Sequence, residues 1–325
     1  MRAIVVATAG GPEVMTIGEV PIPTPGAGSV LVRQSVAGIN YIDTSVRGGR
    51  IPHALPFTPG REGIGIVTAL GAGVTEFAVG DRVGYSETPD WGGYAEYNVV
   101  PTGELVPIPA DIDDAVAAAL MLQGITAHYL THTTFPLGPQ HTILAHAAAG
   151  GVGSILVQLA KLRGARVIAT AGGAAKVALA RGDGADEVID YTTTTDFAAD
   201  VRRLTDGVGV DVVYDAVGAP TFEGSMASLR RRGMLIMYGA AGGRIPPLDI
   251  QRLGSAGSLF VTRPTATDYK REKPELLGRV NDLFAAVKSG KLNVRIGGRY
   301  PLADAAAAHR ALEARETNGK LVLDI

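Results

Sequence analysis

The stretch His146-Ala147-Ala148-Ala149-Gly150-Gly151-Val152-Gly153 constrains the fold of this chain more than any other. An apolar run, Thr142-Ile143-Leu144-Ala145, precedes it, and a helical pattern from Ser154 to Lys161 follows. Strand, tight glycine turn and helix together place a diphosphate on a helix N-terminus. Unpaired backbone N–H groups and the positive end of the helix dipole meet the negative charge there. Small residues are needed because the backbone must come close to the ligand. Ala148 stands where a strict G-x-G-x-x-G motif has its first glycine. Taken alone, the turn is therefore also compatible with helix–strand packing that binds nothing.

The surrounding pattern favours the ligand-binding reading. Strand-like runs at 142–146, 165–170, 186–190, 210–214, 233–238 and 258–262 alternate with helical patterns at 152–163, 174–181, 196–204 and 221–230. Six apolar strands separated by helix-length segments predict βαβ units and a doubly wound parallel sheet, an α/β fold. Its ligand cleft lies outside the carboxyl ends of the strands. The N-terminal part reads differently. Short β-rich runs at 2–8, 14–20, 29–38, 63–70, 80–84 and 93–100, with turn signals between them, predict a compact barrel-like β domain. Helical patterns follow at 113–121, 125–133 and 272–289. Arg230-Arg231-Arg232 reads as a solvated helix end. Tyr300 to Asp304 opens a last helix with Asp304 as its N-cap, and 321–323 is a short strand without a partner in the parallel sheet.

Composition excludes several classes. Thirty basic against 32 acidic residues leave a net charge of −2, with no basic excess to attract nucleic acid or an anionic membrane. There is no cysteine, so disulfides, thiolate metal sites and cysteine nucleophiles are absent, which agrees with a cytoplasmic location. The uncharged window from Thr142 to Ala160 is interrupted by three glycines, Thr142, His146, Ser154 and Gln158, and reads as buried strand–turn–helix, not a membrane span. The six histidines form no H-E-x-x-H, and no G-x-S-x-G elbow is present. Nicotinamide hydride transfer has no competitor among these patterns.

The choice of dinucleotide follows from the second strand. NAD sites carry Asp or Glu there to bond the ribose 2′-OH. Here the strand ends Ile168-Ala169-Thr170-Ala171, followed by Gly172-Gly173-Ala174-Ala175-Lys176. No acid repels a 2′-phosphate, and a lysine in the first helical turn, unfavourable for the helix dipole, is suited to bind one. NADPH is expected over NADH.

These residues carry a resemblance to the zinc-independent branch of the medium-chain dehydrogenase/reductase superfamily, specifically the NADPH:quinone oxidoreductase (zeta-crystallin-like) family. Its carriers are Gly38 to Asp43, Gly80 to Val83, Gly124 to Ala127, His146 to Gly153, Val212 to Gly218 and Val261 to Pro264. The resemblance implies a GroES-like β-barrel domain over 1–121, completed by 290–325, and a Rossmann NADPH-binding domain over 122–289. It implies a cleft between domains and a homodimer joined through Rossmann sheet edges. Zinc-dependent relatives use cysteine and histidine ligands; this chain has no cysteine, and Gly60-Arg61-Glu62 stands where those relatives have Gly-His-Glu. No metal is expected.

By the same resemblance, Ala149, Gly150, Gly151 and Val152 match the diphosphate turn. Gly172 and Lys176 match the 2′-phosphate end, and Tyr191 a tyrosine near the adenosine. Val217, Tyr238, Gly239 and Ala240 follow strand ends on the ribose and nicotinamide side, where strand-end packing is the alternative. Val261 and Arg263 fall at the sixth strand, Arg263 matching a cofactor-contacting arginine or else a surface charge. Asn40, Asp43 and Thr126 match positions near the nicotinamide; Asn40 is also a turn former and Asp43 a helix cap. Gln123 is a further candidate for the cleft, and Tyr41 a candidate proton donor or core residue. The segment Gly48 to His53, which shapes the acceptor pocket, lacks a tyrosine that many relatives carry. The expected reaction is metal-free hydride transfer from C4 of NADPH to a quinone. The alternatives are the same transfer to an enone, alkenal or enoyl thioester, a regulator that binds NADPH without turnover, or an RNA-binding or crystallin-like structural role.

Overall fold

The computed structural model describes residues 1–88 and 90–325. They form two units, Met1–Gln123 with Glu272–Lys288 and Val294–Ile325, and Gly124–Arg271 with Ser289–Asn293. In the first unit, β1 (Arg2–Val6) pairs antiparallel with β2 (Met15–Glu19) across the Gly-Gly-Pro turn. The eleven-residue β3 (Ser29–Ile39) is the spine, pairing antiparallel with β4 (Glu62–Leu70). β5 (Arg82–Ser86) continues the sheet from β4, β6 (Tyr97–Pro101) pairs with β3, and β7 (Leu105–Pro107) with β5. The alternation read along β3 is real: Val30 and Val32 share an inward face with Val67, Val83, Tyr85, Val100 and Leu105, all buried.

The second unit holds six parallel strands: β8 (Thr142–Ala145), β9 (Arg166–Ala171), β10 (Glu187–Asp190), β11 (Val210–Asp215), β12 (Leu229–Met237) and β13 (Phe260–Thr262). Their order is β10-β9-β8-β11-β12-β13. The chain winds outward from β8 in one direction and then from β11 in the other, so the order reverses between β8 and β11. Everything that binds at such a sheet comes from the loops leaving the carboxyl ends of its strands.

Several local readings are corrected. The arginine triplet 230–232 lies within β12, which begins at Leu229, and not at a helix end. Arg232 takes a positive φ of 57° at an irregularity in that strand. The tail adds two strands to the first sheet, β14 (Ile296–Pro301) and β15 (Lys320–Asp324). β14 was hidden because Gly297, Gly298 and Pro301 read as breakers; the last helix starts only at Ala305, and the Asp304 side chain makes no cap bond. β15 inserts between β14 and β3, antiparallel to β3. The helix Lys273–Lys288, which lies in the nucleotide domain that the resemblance implies, groups with the first unit. Lys273 Nζ donates to the Thr102 carbonyl at 2.8 Å, and Lys288 pairs with Asp111 at 2.7 Å.

Candidate functional site

In the second unit, β8 delivers the chain into the turn. Ala147 takes a φ of 52°, so the left-handed position falls on it and not on Ala148, which explains why alanine suffices at 148. Gly150 N donates to the Ala147 carbonyl at 2.9 Å and the helix Gly151–Leu162 begins directly after, with no side-chain cap on its first turn. A Cβ at Gly153 would overlap the Ala147 carbonyl oxygen. Glycine there lets the helix close on the turn and leaves the early N–H groups directed outward.

The end of β9 carries no carboxylate. The acid nearest in the pattern, Asp190 at the end of β10, accepts from Gly173 N and Thr192 N, both at 2.9 Å; these bonds hold its pKa below the usual range. A Cβ at Gly172 would overlap the Tyr191 hydroxyl, so the Tyr191 ring lies against that backbone while 46% exposed. Lys176 sits half-buried in the first turn of the helix Ala174–Gly182. This set fits a nucleotide with a 2′-phosphate: β9 ends without an acid, Lys176 supplies a cation, and the Asp190 carboxylate is engaged by backbone N–H groups.

The remaining strand ends are built around Asp215. Its buried carboxylate accepts from Val217 N (2.7 Å), Gly218 N (3.0 Å), Thr221 Oγ1 (2.7 Å) and Ser225 Oγ (2.7 Å). Since Ser225 gives its proton to Asp215, His146 Nε2–H donates to Ser225 Oγ (3.0 Å), and His146 Nδ1 accepts from Thr170 Oγ1 (2.9 Å). Burial pushes the His146 pKa down, against the pull of Asp215. This histidine is a neutral brace beneath the turn. Tyr238 N and Gly239 N donate to the Asp215 carbonyl, and a Cβ at Gly239 would crowd the Ala216 carbonyl, with Ala240 next in that half-buried loop. Burial raises the Tyr238 pKa. Arg263 donates to the Met237 and Gly239 carbonyls at 3.0 and 3.4 Å, so part of its fork holds the β12 end. Val261 lies inside β13, packed on the core, and Thr126 is buried in the helix Ile125–Tyr129.

In the first unit the candidates Asn40, Asp43 and Gln123 meet in one buried polar cluster. β15, β3 and β4 lie side by side, so Lys320 at the start of β15 and Glu62 at the start of β4 flank the end of β3. Lys320 Nζ pairs with Glu62 Oε1 and donates to Asn40 Oδ1 (3.0 Å) and the Ile39 carbonyl (3.2 Å). Asn40 Nδ2 donates to Glu62 Oε1 (2.7 Å), and Gln123 Nε2 to Asn40 Oδ1 (3.3 Å). A π-helical segment, Leu120–Gly124, frees Leu122 N to donate to Glu62 Oε2 at 2.8 Å. The amide of Asn40 is thereby held in one orientation, while Gln123 Oε1 has no partner among the described residues.

A second chain of bonds ends on Asp43. Burial and the Arg47 charge push the His309 pKa down to about 3, so the ring is neutral. Its Nδ1 accepts from Arg47 Nη1 (2.8 Å), leaving Nε2–H to donate to the Tyr94 hydroxyl (3.0 Å), which donates to Asp43 Oδ2 (2.9 Å). Asn40 N donates to the same oxygen at 2.8 Å. Burial raises the Asp43 pKa to about 7 despite these donors and Lys320, and Oδ1 has no partner among the described residues. Tyr41 is set apart from this cluster: its hydroxyl donates to the Leu312 carbonyl at 2.9 Å, which commits the proton to the fold. Sequence reasoning missed Glu62, Lys320, Tyr94 and His309 as parts of the cluster. Glu62 falls in the Gly60-Arg61-Glu62 segment and Tyr94 in the 93–100 strand run, but neither local pattern points to a buried cluster.

Two family models match the chain: an alcohol dehydrogenase GroES-like domain at residues 26–110 and a zinc-binding dehydrogenase at 151–278. The residues do not fit a zinc ion. The chain lacks cysteine, Glu62 is already neutralised by Lys320, and no group of three His, Asp or Glu among the described residues is placed to hold a metal. The chain is 42% identical to a quinone oxidoreductase of Pseudomonas aeruginosa, over 99% of both chains. It is 41% identical to a 2-haloacrylate reductase of Burkholderia, over 99% of this chain and 98% of the relative. The crystal structure of Escherichia coli quinone oxidoreductase complexed with NADPH superposes at a TM-score of 0.97 and 38% identity, over the whole of both chains. The chain belongs to the zinc-independent, zeta-crystallin-like quinone oxidoreductase family of medium-chain dehydrogenases/reductases.

Proposed function

We propose that this protein is an NADPH-dependent quinone oxidoreductase that needs no metal. The observation that carries the reading is the uncapped helix N-terminus at Gly150–Val152 beside a β9 end that bears no acid and leads to Lys176. The N–H groups of the turn hold the diphosphate, and Lys176 with Tyr191 holds the phosphorylated ribose. Asn40, fixed by Lys320, Glu62 and Gln123, orients the nicotinamide or the acceptor. When bound, NADPH supplies the hydride. The acceptor takes that hydride and one proton from water, two electrons in all, and becomes the hydroquinone. Positioning supplies most of the acceleration, since the quinone carbonyls are themselves the electron sink.

Reduction of a conjugated alkene is the second reading. The 2-haloacrylate reductase relative favours keeping it, and the residues that hold the cofactor are the same. A nucleic-acid role has no support in a chain of net charge −2. We further read the protein as a cytoplasmic homodimer. Its β13 is an open sheet edge with Phe260 56% exposed, and no described helix is long and apolar enough to cross a membrane. Steady-state assays with NADPH and 1,4-benzoquinone or 9,10-phenanthrenequinone test the activity; turnover no faster than the uncatalysed rate rejects it. Light scattering on the purified protein tests the dimer.

A further inference from the structure

One arginine of the first unit, Arg61, is held unlike Arg202 of the second unit and Arg47 of its own. Arg202 spends its fork on the carbonyls of Gly207, Val208, Ala227 and Leu229. Arg47 uses all three nitrogens, on Gly10 O, His309 and Glu313. Among the described residues Arg61 has one polar side-chain contact, Nη1 to Glu87 Oε1 at 3.3 Å, longer than a charge-assisted bond of about 2.7–2.9 Å. Its Nε is buried with no partner among the described residues, although its side chain is only 17% exposed. A buried donor without a partner has lost its water and gained nothing in return, so such a group calls for an explanation.

The surroundings supply one. The Arg61 guanidinium carbon lies 5.1 Å from the centroid of the Trp91 ring. Trp91 is itself 5.7 Å from His53 and 6.0 Å from Phe57, and those two rings meet edge-on at 4.5 Å. His53 belongs to the loop that the family resemblance places around the acceptor. Glu62, next to Arg61 in the chain, reaches into the Asn40 cluster. A cation with an idle Nε beside a wall of three rings suits a planar conjugated group that ends in a carboxylate.

We propose that Arg61 is an anion subsite of the acceptor pocket, selecting acceptors whose reducible double bond is conjugated to a carboxylate. The carboxylate takes the Nε edge of the fork, and the conjugated plane lies along Trp91, His53 and Phe57. This rests on the reductase reading given above.

Trp91 is the only tryptophan of the chain and reports directly on its neighbour. With NADP⁺ present to prevent turnover, 2-chloroacrylate is expected to change Trp91 fluorescence saturably, while its methyl ester does not. No cysteine is available for alkylation by either compound. R61M is expected to weaken carboxylate binding at least tenfold, with R61K retaining part of it. E87Q, which removes the competing anion, is expected to tighten binding about threefold. With NADPH, the ratio of kcat/KM for the carboxylate to that for the ester should fall at least tenfold in R61M. A wild-type titration that fails to saturate overturns the proposal, as does an R61M variant that affects acid and ester equally. If R61M does not fold, an unchanged carboxylate affinity in E87Q overturns it. Saturable binding without any turnover by the wild type rejects the reductase reading and leaves the anion subsite standing.

Discussion

At Gly38 a methyl group would overlap the Glu62 carboxylate and crowd the Lys320 side chain, so the missing side chain is what makes room for a buried ion pair. Removing one partner of such a pair strands the other charge in a medium that cannot solvate it, at a cost of about 3–5 kcal/mol. Lys320→Met should lower the unfolding free energy by about that much in urea titrations. The double variant Glu62→Gln with Lys320→Met should lose less than the two singles summed, because their effects share one interaction. Lys176 belongs to the same scale. Lys176→Ala should raise the Kd for NADPH by at least about tenfold, the value of one charge-assisted contact, and change that for NADH by less than threefold. Equal losses for the two nucleotides would show that Lys176 does not read the 2′-phosphate. Lys176 could be proposed from the sequence because its expected role depends on a neighbour in the chain, the acid-free end of β9. Lys320 could not, because its partners Glu62 and Asn40 lie more than two hundred residues away.

Between elements, the bond chain from Arg47 in the helix Tyr41–Arg47, through His309 in the helix Ala305–Glu313, back to Asp43 carries two opposed titrations. Asp43 is raised from 3.8 to about 7, so the folded state holds more protons than the unfolded chain between those values. Its contribution to stability is intact below pH 3.8 and lost as the pH rises through 7. His309 is depressed from 6.5 to about 3, so its contribution is intact above pH 6.5 and lost as the pH falls towards 3. The two slopes oppose each other over nearly one window. Asp43→Asn should therefore gain in Tm relative to wild type as the pH rises from 4 to 7. His309→Gln should gain relative to wild type as the pH falls from 6.5 to 4. Parallel curves for wild type and both variants would show that neither group titrates as its burial requires. The diphosphate turn is the other prediction at this scale. Gly153→Ala drives a methyl group into the Ala147 carbonyl and must push the helix Gly151–Leu162 off the turn. NADPH affinity should fall at least about tenfold, measured by cofactor fluorescence, with a lowered Tm. Strand and helix positions in the second unit were legible because alternation and glycine punctuation are local. β14 was not, because two glycines and a proline conceal a strand whose pairing with β15 is decided by the sheet it joins.

For the whole molecule, the C-terminal residues are structural. β15 lies between β14 and β3 and carries Lys320 into the Asn40 cluster. A chain ending at Asn318 should lose cooperative unfolding of the first unit, seen as a missing or broadened transition in near-ultraviolet circular dichroism. A transition matching wild type would show that the tail only decorates the sheet. The class of fold was legible in the chain alone, as were the strand–glycine turn–helix at 142–162 and the acid-free end of β9 on which the NADPH reading rests. Each of these rests on patterns that repeat within a few residues: apolar alternation, glycine spacing and the residue type at one strand end. Folding in three dimensions sets which side chains surround Asn40, commits the Tyr41 proton to the Leu312 carbonyl, and leaves Arg61 with an idle donor beside Trp91. Those outcomes depend on charges and carbonyls brought together from distant segments in a low-dielectric interior. There the energy of each group is set by its neighbours in space, and the chain order does not record them.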